Sequence, residues 1–228
     1  MSENIQRKIR SFVMRTSKMT PGQKRAIEDI FPQFALDEKQ KFNVKDAFGN
    51  NNRVCVDIGF GNGESLVHIA QMQPDVNFVG MEVHTPGVGH LLLQIEKYGI
   101  KNIRIYQYDG TEVLKECFAN NSIDAMHIYF PDPWHKKRHH KRRLIQDAFL
   151  EMLMPKLKDQ ARMHIATDWQ QYAEHIQDVF SRFPQFINVE SNNDFTDRPD
   201  WRPITKFERR GINLGHESYD LIYHLNKS

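Results

Sequence analysis

From residue 53 onward the chain alternates short apolar runs with amphipathic stretches. The run 54–58 ends in glycines, and apolar positions then recur at helical spacing from 66 to 72. The next run is 77–81, after which Thr85-Pro86 opens a stretch with Val88, Leu91, Leu92, Ile95 and Tyr98 on one face, closed by Gly99. The alternation continues with 103–106 and a short helix near 112–118. Run 123–130 follows, and then a helical stripe of Leu144, Ile145, Ala148, Phe149, Met152 and Leu153 up to Pro155. The fifth run, 163–166, precedes Tyr172, Ala173, Ile176, Val179, Phe180 and Phe183 on one helix face. Runs 186–189 and 219–225 are late strands, separated by a polar stretch, 190–218, that is too long for a simple connector and predicts a functional loop. Upstream, residues 1–50 hold no clear strand. Thr20-Pro21 followed by 23–30 reads as a capped short helix, ended by Phe31-Pro32.

Strands alternating with helices at this spacing predict an α/β fold, a mostly parallel sheet with helices on both faces. In such sheets ligands collect at the strands' carboxyl ends. The expected division is a basic arm over 1–50 and one α/β domain over 51–228. A length of 228 residues suits that division and is ample for a proper core. Hydrophobic and charged fractions of 39% and 26% are ordinary for a soluble globular protein. No apolar run approaches the roughly 20 residues needed to span a bilayer, so no membrane partner is expected. The N-terminus lacks the apolar stretch of a signal peptide, which predicts a cytoplasmic protein. Cys55 and Cys117 are far apart, belong to no C-x-x-C pair and read as core or helix-face thiols. A monomer or a homodimer is expected.

Charge changes the picture through its placement, because the net value is only +2. Arg7, Lys8, Arg10, Arg15, Lys18, Lys24 and Arg25 face one acid, Glu3, in the first 25 residues. Six more Lys/Arg fall within 135–143, which leaves the rest of the chain net acidic. Two basic patches on a nearly neutral body suit a protein that docks a polyanion at a defined face.

The richest chemistry lies in 128–143, IYFPDPWHKKRHHKRR, where an apolar strand turns through Pro131-Asp132-Pro133-Trp134 into consecutive basic or imidazole side chains. A proline-rich turn followed by a solvated, charged helix start is the plain alternative. Trp134 either stacks on a base or packs under the turn. His135, His139 and His140 have helix-compatible spacing for zinc, but the surrounding Lys and Arg would repel a dication, so no metal is expected.

Earlier in the chain, Asp57-Ile-Gly59-Phe-Gly61-Asn-Gly63 ends the first strand, and its glycines permit a tight turn and close backbone approach to a ligand. The dinucleotide fingerprint would want glycine at 64; Glu64 stands there instead and would repel a pyrophosphate. Asp57, Glu82, Asp109 and Asp132 place one acid at each of four successive strand ends. Any one could be a loop carboxylate or an N-cap. In series they suit a ligand with amino, hydroxyl and sulfonium groups and no phosphate, which is S-adenosylmethionine.

GFGNGES, GMEVHTPGVG, FPDPWHKKRHHKRR, HIATDW and RPITKFERRG occur together and in order, and with them the chain resembles the bacterial tRNA (guanine-N7-)-methyltransferase family over about residues 5–225. The resemblance implies a Rossmann-like class I methyltransferase fold, tRNA as partner, and methylation of N7 of a variable-loop guanine. It implies S-adenosylmethionine contacts at Asp57, Gly59, Gly61, Glu82, Asp109 and Asp132, with Asp132 also catalytic. Substrate contacts are implied at Lys136, Asp168, Thr205, Lys206, Phe207 and Glu208. Arg138, His139, His140, Lys141, Arg142 and Arg143 correspond to the RNA-contacting segment. The family more often has Glu where this chain has Asp57. Guanine N7 is an acceptor in the major groove, so no strong base is needed, and Glu208 or Asp168 could accept from guanine's N1–H and N2–H₂. A non-catalytic RNA-binding module is the alternative; the intact acid series and glycine turn argue against it. A small-molecule or protein methyltransferase would have no need of the basic run.

Overall fold

A computed structural model describes residues 11–13, 17–190, 192, 194–212, 215 and 217–228, with the side chains of 206, 207 and 210 outside that description. Three helices, α1 (Pro21–Asp29), α2 (Phe31–Phe34) and α3 (Val44–Phe48), precede the first strand. Then come β1 (Arg53–Ile58), α4 (Glu64–Met72), β2 (Val76–Met81), α5 (Thr85–Tyr98), β3 (Ile103–Tyr106) and α6 (Gly110–Cys117). They are followed by β4 (Ile123–Tyr129), α7 (Asp147–Leu153), β5 (Leu157–Thr167), α8 (Gln170–Ser181), β6 (Phe186–Asn188), α9 (Lys206–Ile212) and β7 (Tyr219–Leu225).

Among the described residues these strands form one seven-stranded sheet in the order β3-β2-β1-β4-β5-β7-β6. The first five run parallel, while β7 lies antiparallel between β5 and β6. Side chains alternate across each strand, so the sheet buries two cores. Val54 and Val56 of β1 face one, with Leu114 of α6, Leu150 of α7 and Ile176 of α8. Cys55 between them faces the other, with Ala26 of α1, Ile69 of α4 and Leu91, Leu92 and Ile95 of α5. Each of these Val, Leu and Ile side chains, once fully buried, contributes roughly 1.5–3 kcal/mol.

The helix signals explain most boundaries. Thr20 accepts from Gln23 N while Gln23 Oε1 accepts from Thr20 N, a capping box that starts α1. Gly99 ends α5 in the left-handed region at φ 63°. Elsewhere tertiary context overrides the pattern. Phe31-Pro32 follows the end of α1, as expected, and at once opens α2, because proline suits a first helical turn. Ala35, just after α2, bridges to Ile105 and covers the sheet's β3 edge. β5 begins at Leu157, six residues before the apolar run, because 158–160 and 162 are polar and partly exposed and break the hydrophobic signal between Leu157 and Ala161. Leu144 and Ile145 lie ahead of α7, where Ile145 N donates to the buried Tyr172 hydroxyl at 3.2 Å. No helix among the described residues is long and apolar enough to cross a membrane.

Candidate active site and nucleic-acid interface

The parallel strands deliver their carboxyl ends to one rim, and a cavity of about 810 Å³ opens there. Asp57, Gly59, Gly61, Glu82, Asp109 and Asp132 all line it, as do Asp168 and Thr205. The four acids expected at successive strand ends are therefore brought together.

The glycine turn is shaped by contact with its neighbours. Gly59, Gly61 and Gly63 hold φ of 74°, 60° and 79°, where a side chain would be strained. Gly59 N donates to Met81 O at 2.7 Å, tying the turn to the end of β2. At the start of α5, a Cβ on Gly87 would stand 2.2 Å from Gly61 O, so the helix approaches the turn as only glycine allows. Glu82 is fixed by backbone N–H groups: Gly61 N donates to Oε2 at 2.9 Å, and Val83 N and His84 N donate to Oε1 at 2.7 and 2.9 Å. Asp109 caps α6, accepting from Thr111 N and Thr111 Oγ1 through Oδ1. Asp57 is only 2% exposed. Burial, with the Glu82 charge adding to it, pushes its carboxyl up to about 7.

Beyond β4, Phe130 and Trp134 both take left-handed φ, 52° and 49°, so the Pro131-Asp132-Pro133 turn is bent sharply at each end. The basic run then forms a short 3-10 helix, Lys137–Arg142, rather than the start of a longer α-helix. Lys136, just before it, and Arg138 and Lys141 on it are exposed, and His139 and His140 are half-buried. Trp134 packs under the turn: its Nε1 donates to Ser11 O at 3.0 Å, and the Arg142 guanidinium lies 3.9 Å over its ring. His135 and Trp169 also line the cavity, with their rings edge to face at 4.1 Å.

Two expectations need correction. Arg143, expected among the exposed basic residues, is only 4% exposed. Its Nε donates to Pro133 O at 3.0 Å, its guanidinium lies 4.9 Å from the Tyr172 ring, and burial lowers its pKa. It braces the Pro131-Asp132-Pro133 turn through Pro133 O. Glu208 is likewise 2% exposed and does not line the cavity. Its oxygens accept from Arg202 at 2.7 and 2.8 Å, from Ser218 Oγ at 2.9 Å and from Thr205 N at 3.3 Å. A carboxylate so engaged has an internal cation as partner in place of a guanine edge. Lys206 and Phe207 belong to α9, but their side chains lie outside the described residues, as do Arg7, Lys8, Arg10 and Arg15 of the basic arm.

The structure also brings in residues the sequence reading missed. Tyr129 lines the cavity, and its hydroxyl meets His164 Nδ1 at 2.9 Å. His164 Nε2 meets Asp220 Oδ1 at 2.6 Å, and Asp220 accepts from Arg202 Nε and Nη2, both at 2.7 Å. Burial lowers the His164 pKa, and the Asp220 contact works against that shift. The signals were present: His164 and Asp220 are titratable groups inside apolar strand runs, and Thr205-x-x-Glu208 is a capping-box pattern. Among the described residues no group of three or more His, Cys, Asp or Glu converges as a metal site would require.

Comparison with known proteins agrees with this geometry. The family described as "Putative methyltransferase" matches residues 51–221. A tRNA (guanine-N(7)-)-methyltransferase from Pseudoalteromonas translucida is 48% identical over 222 residues, covering 97% of this chain and 92% of the relative. One from Methylobacillus flagellatus is also 48% identical, covering 97% and 93%. Among solved structures, a 30S ribosomal A1408 methyltransferase from an uncultured bacterium shares the fold with a TM-score of 0.56 at 14% identity, covering 83% of this chain and 94% of its own. A SAM-dependent methyltransferase from Aquifex aeolicus does so at 0.52 and 13%, covering 91% and 100%.

Proposed function

The chain belongs to the tRNA (guanine-N(7)-)-methyltransferase family, and from that premise we propose that it transfers a methyl group from S-adenosylmethionine to N7 of a guanine in tRNA. The observation that carries the reading is the set of carboxylates from Asp57, Glu82, Asp109 and Asp132 on one cavity beside an exposed basic turn. The donor set fits this cofactor. A buried carboxylate held up near 7 calls for a cationic partner, and an amino acid ammonium provides one. Glu82 is oriented for ribose hydroxyls, and Asp109 lies where an adenine amino group is met. S-adenosylmethionine supplies a methyl group on a positively charged sulfur.

This chain's residues do the rest by holding and orienting. Guanine N7 carries a free lone pair, so no proton has to be removed before attack. Positioning N7 in line with the methyl is the principal task, and such positioning can supply several kcal/mol. Asp132 stabilises the positive charge as it passes to the purine. Asp168 and Thr205, which line the same cavity, meet the incoming base. Lys136, Arg138 and Lys141 hold phosphates, giving position without reading sequence.

Incubating the protein with unmodified tRNA and labelled S-adenosylmethionine should yield N7-methylguanosine. Asp132→Asn should lower turnover roughly 100- to 1000-fold, in the range for loss of one fixed transition-state contact, with tRNA affinity held. A variant that kept most of its turnover at saturating cofactor would remove Asp132 from the mechanism.

A further inference from the structure

Burying an arginine costs several kcal/mol unless its charge is matched with good geometry. Arg202 is fully buried, in the segment between β6 and α9. Its guanidinium makes two forks, one on Asp220 and one on Glu208, through four contacts of 2.7–2.8 Å. Its Cζ lies 5.9 and 5.5 Å from the ring centres of Tyr129 and Phe130.

Each partner belongs to a different element, and Phe130, like the Thr205 that Glu208 holds, lines the cavity. Asp220 is set by the β5–β7 pairing, opposite Ala166, and by His164. Phe130 sits at the bend that turns the chain toward Asp132. Glu208 sets Thr205, with Thr205 N donating to Glu208 Oε2 and Glu208 N donating to Thr205 Oγ1 at 3.1 Å. For Glu208 to contact a base directly it would have to leave Arg202 and strand a buried charge.

We infer that Arg202 is a positioning residue for methyl transfer: it joins Glu208 and Asp220 so that the Thr205 segment and the Asp132 turn face each other at a fixed separation. This rests on the methyl-transfer reading above. Arg202 touches neither tRNA nor cofactor; it acts through the two lips it holds. Lysine keeps the charge but loses the planar fork, so both bidentate pairings cannot persist in Arg202→Lys.

The test is a double-mutant cycle of Arg202→Lys and Glu208→Gln, on variants confirmed folded at the assay temperature by thermal melts. Four quantities are read: S-adenosylmethionine affinity, tRNA affinity, single-turnover methylation rate and the N7-methylguanosine product. Each single variant should slow the single-turnover step about 100-fold, the scale of a small misplacement of reacting groups. Both affinities should stay within about twofold, and the double variant should be no more than a few-fold slower than either single, as for residues acting as a unit. An undiminished rate in Arg202→Lys overturns the inference. So does a rate that falls only in step with the affinities, as a loss of fold would give. Multiplicative losses in the double variant would also overturn it, by giving Glu208 a role of its own. If the wild-type protein formed no N7-methylguanosine, the methyl-transfer reading would fail, and the clamp with it.

Discussion

Asp57 shows how one residue's surroundings set a pH dependence. Its carboxyl is held near 7 by burial and the neighbouring Glu82 charge, so much of it is protonated at slightly acidic pH. A cationic amino group favours the ionised form. Cofactor affinity should therefore rise as pH climbs through about 7 and level off above it, approaching about tenfold per unit well below 7. Calorimetric titration at pH 6 and pH 8 checks this, and equal affinities would show that the ammonium is met elsewhere. Asp57→Asn should flatten the profile. In the cofactor-free protein the sign for stability is opposite. The folded-state pKa is raised, so this group's contribution is present below the unfolded value, about 3.9, and is lost as pH rises through about 7.

Elements, more than residues, decide which arginines meet RNA. The 3-10 helix exposes Lys137, Arg138 and Lys141 but turns Arg143 inward onto Pro133 O. Replacing the three exposed residues with alanine should reduce the salt dependence of tRNA binding by up to about one log–log unit per lost phosphate contact. Arg143→Ala should leave that slope unchanged and lower thermal stability, and a reduced slope would put its charge back on the RNA. α5 carries a second expectation. Glycine to alanine inside a helix usually stabilises by about 1 kcal/mol, but Gly87→Ala should destabilise the protein and weaken cofactor binding, because its Cβ would meet Gly61 O. A melt and a cofactor titration read both effects. These elements also show what the sequence made legible. Strand ends were readable because apolar runs stop where polar ligand-facing residues begin, and all four acids fell on one cavity. The fate of Arg143 and Glu208 was not readable. A charged side chain in a polar loop looks the same whether it faces water or a buried partner, and only the β5–β7 pairing supplies the Asp220 that draws Arg202, and with it Glu208, inward.

At the scale of the molecule, Asp220 is the point where the loop between β6 and β7 is fastened to the sheet. Asp220→Ala would leave Arg202 with one of its two buried partners, and removing one member of such a pair costs about 3–5 kcal/mol. Urea unfolding measures that loss, and a cost near zero would mean that water or Glu208 alone satisfies the guanidinium. The strand order has a further consequence, and it concerns time. The side of the cavity that carries Asp57, Glu82, Asp109 and Asp132 is built by β1 to β4, which lie side by side in the sheet. The lip that carries Thr205 has no anchor until β7, the last strand, inserts between β5 and β6. None of the pairings among β1 to β4 involves β7, so that side can form without it. Refolding protein should accordingly regain S-adenosylmethionine binding before it regains methyl transfer, with the lag set by the arrival of one antiparallel strand.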